Sequence, residues 1–290
     1  MTIGQGLRPA VILIMWRREL LRYGRDLSQL FGGFSRTILW LVILGLGLGA
    51  ALREIEGYTY AQFILPGVVT LNVLFASLQC AIALVWDRQV GLLRQVVVSP
   101  APMLSVALGK LLGGATIAVV QGAIPLLFLP VIGIPIEPLS ILLAFGVMFL
   151  MGFSLTGVGV FIASRLRTFE GFGAISNGVI QPLYFLSGSI FPLRGVVGGV
   201  GFLDIPEHLR AELRQLGIFA IGGGWVVQLP IWLQALVYMN PVSYMIDALR
   251  YVLLDFRQLP MGLDLAVLLL LPPIAVVVSA RAMRQMIARR

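Results

Sequence analysis

Six apolar runs set the terms for this chain: residues 34–52, 58–85, 111–132, 139–163, 172–191 and 261–280. Each comes close to or exceeds the roughly 20 residues that cross about 30 Å of hydrocarbon. A large soluble core has no need of so many runs of that length, so they predict an all-α integral membrane protein with six transmembrane helices. Charge agrees. Only 12% of the 290 residues are Asp, Glu, Lys or Arg, against about 25% in soluble domains. The 33 glycines and 16 prolines would weaken soluble helices, whereas in a membrane neighbouring helices re-satisfy the freed backbone.

The net charge of +8 raises nucleic acid as a partner, but the placement of the charge argues against it. Arg8, Arg17, Arg18, Arg22 and Arg25 crowd the N-terminus, and Arg281, Arg284, Arg289 and Arg290 the C-terminus. Further basic residues mark the loops at 86–110 and 164–170. With six spans, fourteen of the 21 basic residues fall on one side, which the positive-inside rule makes cytoplasmic together with both termini. The first residues lack the basic-then-apolar order and the cleavage site of a signal peptide, so the N-terminus is expected to be kept.

Taken in order, residues 7–26 read as a cytoplasmic interfacial helix. Pro9 suits its first turn. Arg18, Arg22 and Arg25 share one arc, with Trp16, Leu20 and Tyr23 opposite, as in a helix lying in the headgroup plane. Arg36 sits at the inner edge of the first span, where its head can snorkel to the headgroups. Asn72 and Gln79 in the second span are expected to bond across helices. Gly113, Gly114, Gly152, Gly157 and Gly159 allow close helix approach. Residues 192–260 form an outer region with five arginines balanced by five acids. Within it, residues 216–239 are apolar but broken by three glycines and Pro230, so they read as re-entrant or surface-lying rather than as a seventh span.

Several chemistries lack their residues. The sole lysine, Lys110, is not preceded by the spacing of a phosphate-binding loop. One histidine, His208, and one cysteine, Cys80, do not make a zinc site. The spans show almost no ionisable residues, which disfavours both an ion-coupled carrier or channel working alone and a lipid-modifying membrane enzyme. No cofactor is expected in this chain.

Three stretches carry a resemblance. Residues 87–100 read DRQVGLLRQVVVSP, residues 182–192 read PLYFLSGSIFP, and residues 240–250 read NPVSYMIDALR. In this order, within a six-span layout, they resemble the permease subunit of ABC transporters of the type-2 exporter family. The chain departs from the family pattern at Gln89 and Gln95, where Glu is common, and at Met103, where a basic residue is common. The stretch 194–232 is also longer than usual. The cytoplasmic Glu-Ala-Ala loop of importers is not seen.

The resemblance implies a coupling helix in the 86–110 loop, with Asp87, Arg88, Gly91, Leu92, Arg94 and Pro100 engaging an ATPase. Val90, Leu92, Leu93, Val96 and Val97 would supply its apolar surface. It also places a gate or pathway at Pro182, Ser187, Gly188 and Phe191. Asn240, Pro241, Tyr244, Asp247 and Arg250 join that group, with Asn240 starting a helix and Asp247 paired to Arg250 one turn on. The implied partners are two nucleotide-binding ATPase subunits, which carry ATP and Mg, and a second copy of this chain as a homodimer in the plasma or inner membrane. The spans suit a drug-like or lipid-like amphiphile, with a lipid-linked glycan also open.

Overall fold

A computed structural model describes residues 7–49, 55, 57–91, 101–166, 168–193 and 230–288. Apart from a lone bridge between Ile55 and Tyr58, secondary structure among these residues is helical. Five helices are long and apolar enough to cross a membrane: Leu27–Gly45, Tyr60–Gln89, Met103–Ile132, Pro138–Arg165 and Met261–Met286.

Helix α1 (Pro9–Arg25) opens on Pro9, whose missing N–H costs nothing in a first turn. It ends at Asp26, which leaves helical geometry and accepts hydrogen bonds from Ser28 and Gln29 of the next helix. Rather than standing alone on a surface, α1 lies along helix α4 (Met103–Leu126). Trp16 Nε1 donates to Thr116 Oγ1 at 3.1 Å, and Arg8 N donates to Ser105 Oγ at 2.9 Å. Leu13, Ile14 and Leu21 stay exposed on the other side. The close approach is possible because α4 presents Gly109 and Gly113. A Cβ on Gly109 would stand 2.6 Å from the Ile12 carbonyl oxygen, and one on Gly113 would stand 2.7 Å from Glu19 Cβ.

Helix α2 (Leu27–Trp40) continues as a π-helical stretch, Leu41–Leu48. The first membrane-length helix therefore begins at Leu27, seven residues before the expected start at 34. Charge is no obstacle to this, because residues 27–33 hold none. Helix α3 (Tyr60–Gln89) starts with a reciprocal cap: Gln62 N donates to Thr59 Oγ1 while Thr59 N donates to Gln62 Oε1. It is buried along most of its length and is the centre of the core, packed on α4 and on α6 (Pro138–Arg165).

The loop expected at 86–110 is much shorter. Helix α3 runs on through Asp87 and Arg88, and α4 resumes at Met103, so Lys110 is helical and buried. Of the charges that suggested a loop, Asp87 and Lys110 are held in ion pairs and Arg88 donates to a backbone carbonyl. Helix α4 gives way through a turn to α5 (Leu129–Ile132), closed by Gly133 in the left-handed region at φ 78°. The fifth apolar run, expected at 172–191, is not one regular span. It consists of α7 (Phe169–Ile175), a π turn (Ser176–Ile180) and α8 (Gln181–Leu186), and it is not among the five helices above. Pro182 sits in the first turn of α8, and the helix stops before Ser187 and Gly188, the latter at φ 76°.

Most of the expected outer region, residues 194–229 including His208, lies outside the described residues. Beyond it come α9 (Ile231–Met239), α10 (Pro241–Leu254) and α11 (Met261–Ala288). Helix α11 absorbs Pro272 and Pro273 and extends eight residues past the expected end at 280, carrying Arg281 and Arg284 in helix. It packs along α6, where a Cβ on Gly157 would meet Ala275.

Gly109→Leu should push α1 off α4, at a cost of about 1–3 kcal/mol in stability. The loss should appear as a lower unfolding temperature and as faster proteolysis within α1. Gly24→Leu, whose added Cβ meets nothing within 4 Å, is the control and should change neither.

Candidate functional site

Two polar clusters occupy opposite ends of α3. At the first, Glu19 of α1 is fully buried and meets Lys110 Nζ of α4 at 3.0 Å, where the lysine side chain is 2% exposed. Arg22 closes on the same carboxylate from one turn along α1. Beside this pair, Arg18 reaches Asp87 Oδ2 at 2.6 Å. Helix α1 is thus ion-paired to both helices that flank the connector 90–102. Arg88 Nη1 donates to the Leu166 carbonyl at 3.1 Å, tying the end of α3 to the next loop on the same side. Trp86 and Phe169 pack ring to ring at 5.4 Å. Gly91 follows at φ 80°, in the left-handed region that favours glycine. Leu92, Arg94 and Pro100, expected to share in coupling, lie outside the described residues.

Burial by itself would raise the pKa of Glu19, but Lys110, Arg22 and Arg18 more than offset it and hold the carboxyl below its usual range. Glu19 escaped the sequence reading because it lies next to Arg18 in a basic helix, where a lone acid reads as surface. The usable signal was Lys110 itself, four residues before Gly114 in a small-residue stretch that invites a neighbouring helix.

Next to the pair is a cavity of about 260 Å³, lined among others by Glu19, Tyr23, Gln29, Gln79, Trp86 and Phe169. It is bounded by the α1–α2 elbow, α3 and the start of α7.

The second cluster brings together the other two sequence motifs. Arg250 Nη2 donates to the Gly188 carbonyl at 2.9 Å and Nη1 lies 3.6 Å from Asp247 Oδ1. Its guanidinium rests over the Phe63 ring at 4.2 Å. Asp247 accepts from the backbone N–H groups of Gln258 and Leu259 at 2.8–3.0 Å. Asn240 caps α10 by accepting from Val242 N and donates Nδ2 to the Leu183 carbonyl at 2.6 Å. Tyr244 donates to the Tyr238 carbonyl. Ser187 donates to the Tyr184 carbonyl, and Tyr184 itself donates to the Gly67 carbonyl of α3 at 2.9 Å. Pro182 and Phe191 are exposed. Gln258, Tyr184 and Phe63 complete it without having been singled out in sequence. The arrangement has the chemistry of a clasp: a buried Asp–Arg pair bonded to backbone groups, holding 183–193 against α3 and α10.

An all-helical body with membrane-length apolar helices and charged clusters at its ends defines a multi-pass membrane protein. Residues 10–202 match the family described as ABC-2 type transporter, and the chain belongs to that family. Nodulation protein J of Rhizobium leguminosarum bv. trifolii is 24% identical over 245 residues, covering 83% of this chain and 80% of that protein. The inner membrane transport permease YadH of Escherichia coli K12 is 24% identical over 262 residues, covering 88% and 87%. The putative transport permease ycf38 of Cyanophora paradoxa is 23% identical over 244 residues, covering 83% and 73%. The chain is a membrane transport subunit of the permease type.

Glu19→Gln should lower stability by about 3–5 kcal/mol, because Lys110 is left charged and unpaired. Glu19→Leu combined with Lys110→Met should recover much of that loss. Since Glu19 is held below its usual range, its contribution is complete above about pH 4.5 and fades as pH falls through the lowered value. Unfolding temperatures of the wild type and Glu19→Gln should therefore converge on acidification, and a gap that stays constant down to pH 3 would contradict the pairing.

Proposed function

We propose that the chain forms the substrate pathway of an ATP-driven exporter and leaves ATP hydrolysis to a separate subunit. The supporting observation is the double ion pair at the inner end of α3. Arg18–Asp87 and Glu19–Lys110 fasten α1 to both helices that bracket the connector 90–102. A push on that connector then meets a braced frame instead of two free helix ends. ABC-2 permeases generally work with an ATPase subunit, which suits this reading.

In this scheme two copies of the chain line a pathway and two ATPase subunits bind the connectors. Asp87, Arg88, Gly91, Leu92, Arg94 and Pro100 make the coupling element. ATP and Mg remain on the partner. The clasp that joins Ser187 and Gly188 to Asn240, Asp247 and Arg250 acts as the outer gate, with Pro182, Phe191, Pro241 and Tyr244 at its margin. The helical run 169–186 makes the remaining crossing, giving six spans with both termini cytoplasmic and α1 at the inner surface. Arginines at both termini favour that orientation. An inner membrane setting matches the printed name of the Escherichia coli relative. The cargo is an amphiphile: a drug, a lipid or a lipid-linked glycan.

The test is co-expression with a nucleotide-binding ATPase subunit from the same source, followed by reconstitution. The chain should co-purify with the ATPase and stimulate its hydrolysis. Leu92→Ala with Arg94→Ala should return hydrolysis toward the unstimulated rate while the chain stays folded. Stimulation unchanged by that pair, with co-purification intact, would remove the connector from the coupling role.

A further inference from the structure

The first membrane-length helix carries a cation that no acid among the described residues neutralises. Arg36 of α2 lies nine residues beyond Leu27, roughly 13 Å along the helix. Its guanidinium stacks over Phe75 of α3 at 4.1 Å. Its Nη1 is buried and has no hydrogen-bond partner. The seam is fixed here by Asn72, whose Nδ2 donates to Thr37 Oγ1 at 2.7 Å. The head that the sequence reading left to snorkel rests on the Phe75 ring.

Among the described residues no carboxylate pairs with it. Among the five membrane-length helices, the acids are Asp87, close to the end of α3 and taken by Arg18, and Asp264, in the first turn of α11. The nearest acid on the α1–α2 side is Asp26, ten residues away, about 15 Å, and it is engaged with Ser28 and Gln29. A second copy of the chain would bring the same set, with no acid midway along any of these helices. An ionisable group inside a membrane helix ordinarily faces a partner or a cargo. The inner cavity lies about one turn further along α3, where Gln79, four residues from Phe75, lines it together with Gln29 and Ala76.

We propose that Arg36 receives the anionic headgroup of an amphiphile that enters the α2–α3 seam from the inner cavity. The planar guanidinium offers parallel N–H donors suited to phosphate or carboxylate oxygens, while the exposed apolar face of α2 receives the chain. This inference rests on the transport reading and narrows its cargo to acidic amphiphiles.

The test is equilibrium binding of radiolabelled dodecyl phosphate to the full-length chain in phosphatidylcholine nanodiscs, without ATPase or nucleotide. Binding should be saturable, weakened about tenfold or more by Arg36→Gln, weakened less by Arg36→Lys and unchanged by Arg25→Gln. Dodecyltrimethylammonium and inorganic phosphate should not compete. Equal binding by wild type and by folded, monodisperse Arg36→Gln and Arg36→Lys overturns the proposal. Equal competition by inorganic phosphate overturns it in favour of a free-anion site. A change in oligomeric state with Arg36→Gln, at unchanged binding, overturns it in favour of pairing within the assembly. Because no ATP is used, failure here leaves the ATP-coupled reading standing, and loss of stimulated hydrolysis would leave this binding intact.

Discussion

The Lys110 ammonium lies inside a helix apolar enough to cross a membrane, and Glu19 reaches it there from another helix. Removing Glu19 would strand the Lys110 charge away from water, so α1 and α4 are obliged to stay together. Gly109 and Gly113 make the contact sterically feasible, and Arg22 and Arg18 add positive charge around the same carboxylate. The pair contributes less through its own attraction than through the penalty it imposes on separation. Once α1 is fixed on α4, Arg18 is brought to Asp87, and the two ends of the 90–102 connector are joined to a common support.

The far end of the body is held by different chemistry. There the buried arginine and aspartate are satisfied mainly by backbone groups: Arg250 by the Gly188 carbonyl, Asp247 by the N–H groups of Gln258 and Leu259. Such a junction depends on the chain's path and not only on side-chain identity. It also explains why two motifs separated by a long stretch of sequence meet, since the carbonyls of 183–188 are the acceptors for Asn240 and Arg250.

Much of the architecture was legible because a membrane helix must be long and apolar, and five such helices fall on five of the apolar runs. Asn240 before Pro241 announced a helix start, and it is one. The errors share a cause. Asp87, Arg88 and Lys110 were read as loop markers because charge ordinarily means water, yet Asp87 and Lys110 are buried in ion pairs made with another helix. A sequence shows spacing along one helix and not which helix lies opposite, so Glu19 could not be matched with Lys110. The run at 172–191 looked continuous in hydropathy, whereas Asn177, Gln181 and Pro182 fall where α7 passes through a π turn into α8.

Helix α3 has one further consequence. Thirty residues long, it measures about 45 Å, and it is enclosed by neighbours for most of that length. Near its start, the Tyr60 hydroxyl and the Gly67 carbonyl hold Ile190 and Tyr184, and near its finish Asp87 holds Arg18. A rod so tightly sheathed has little freedom to spin or bend alone. Any tilt imposed on one tip is delivered, with its direction reversed about whatever fulcrum the sheath provides, to the residues gripping the other.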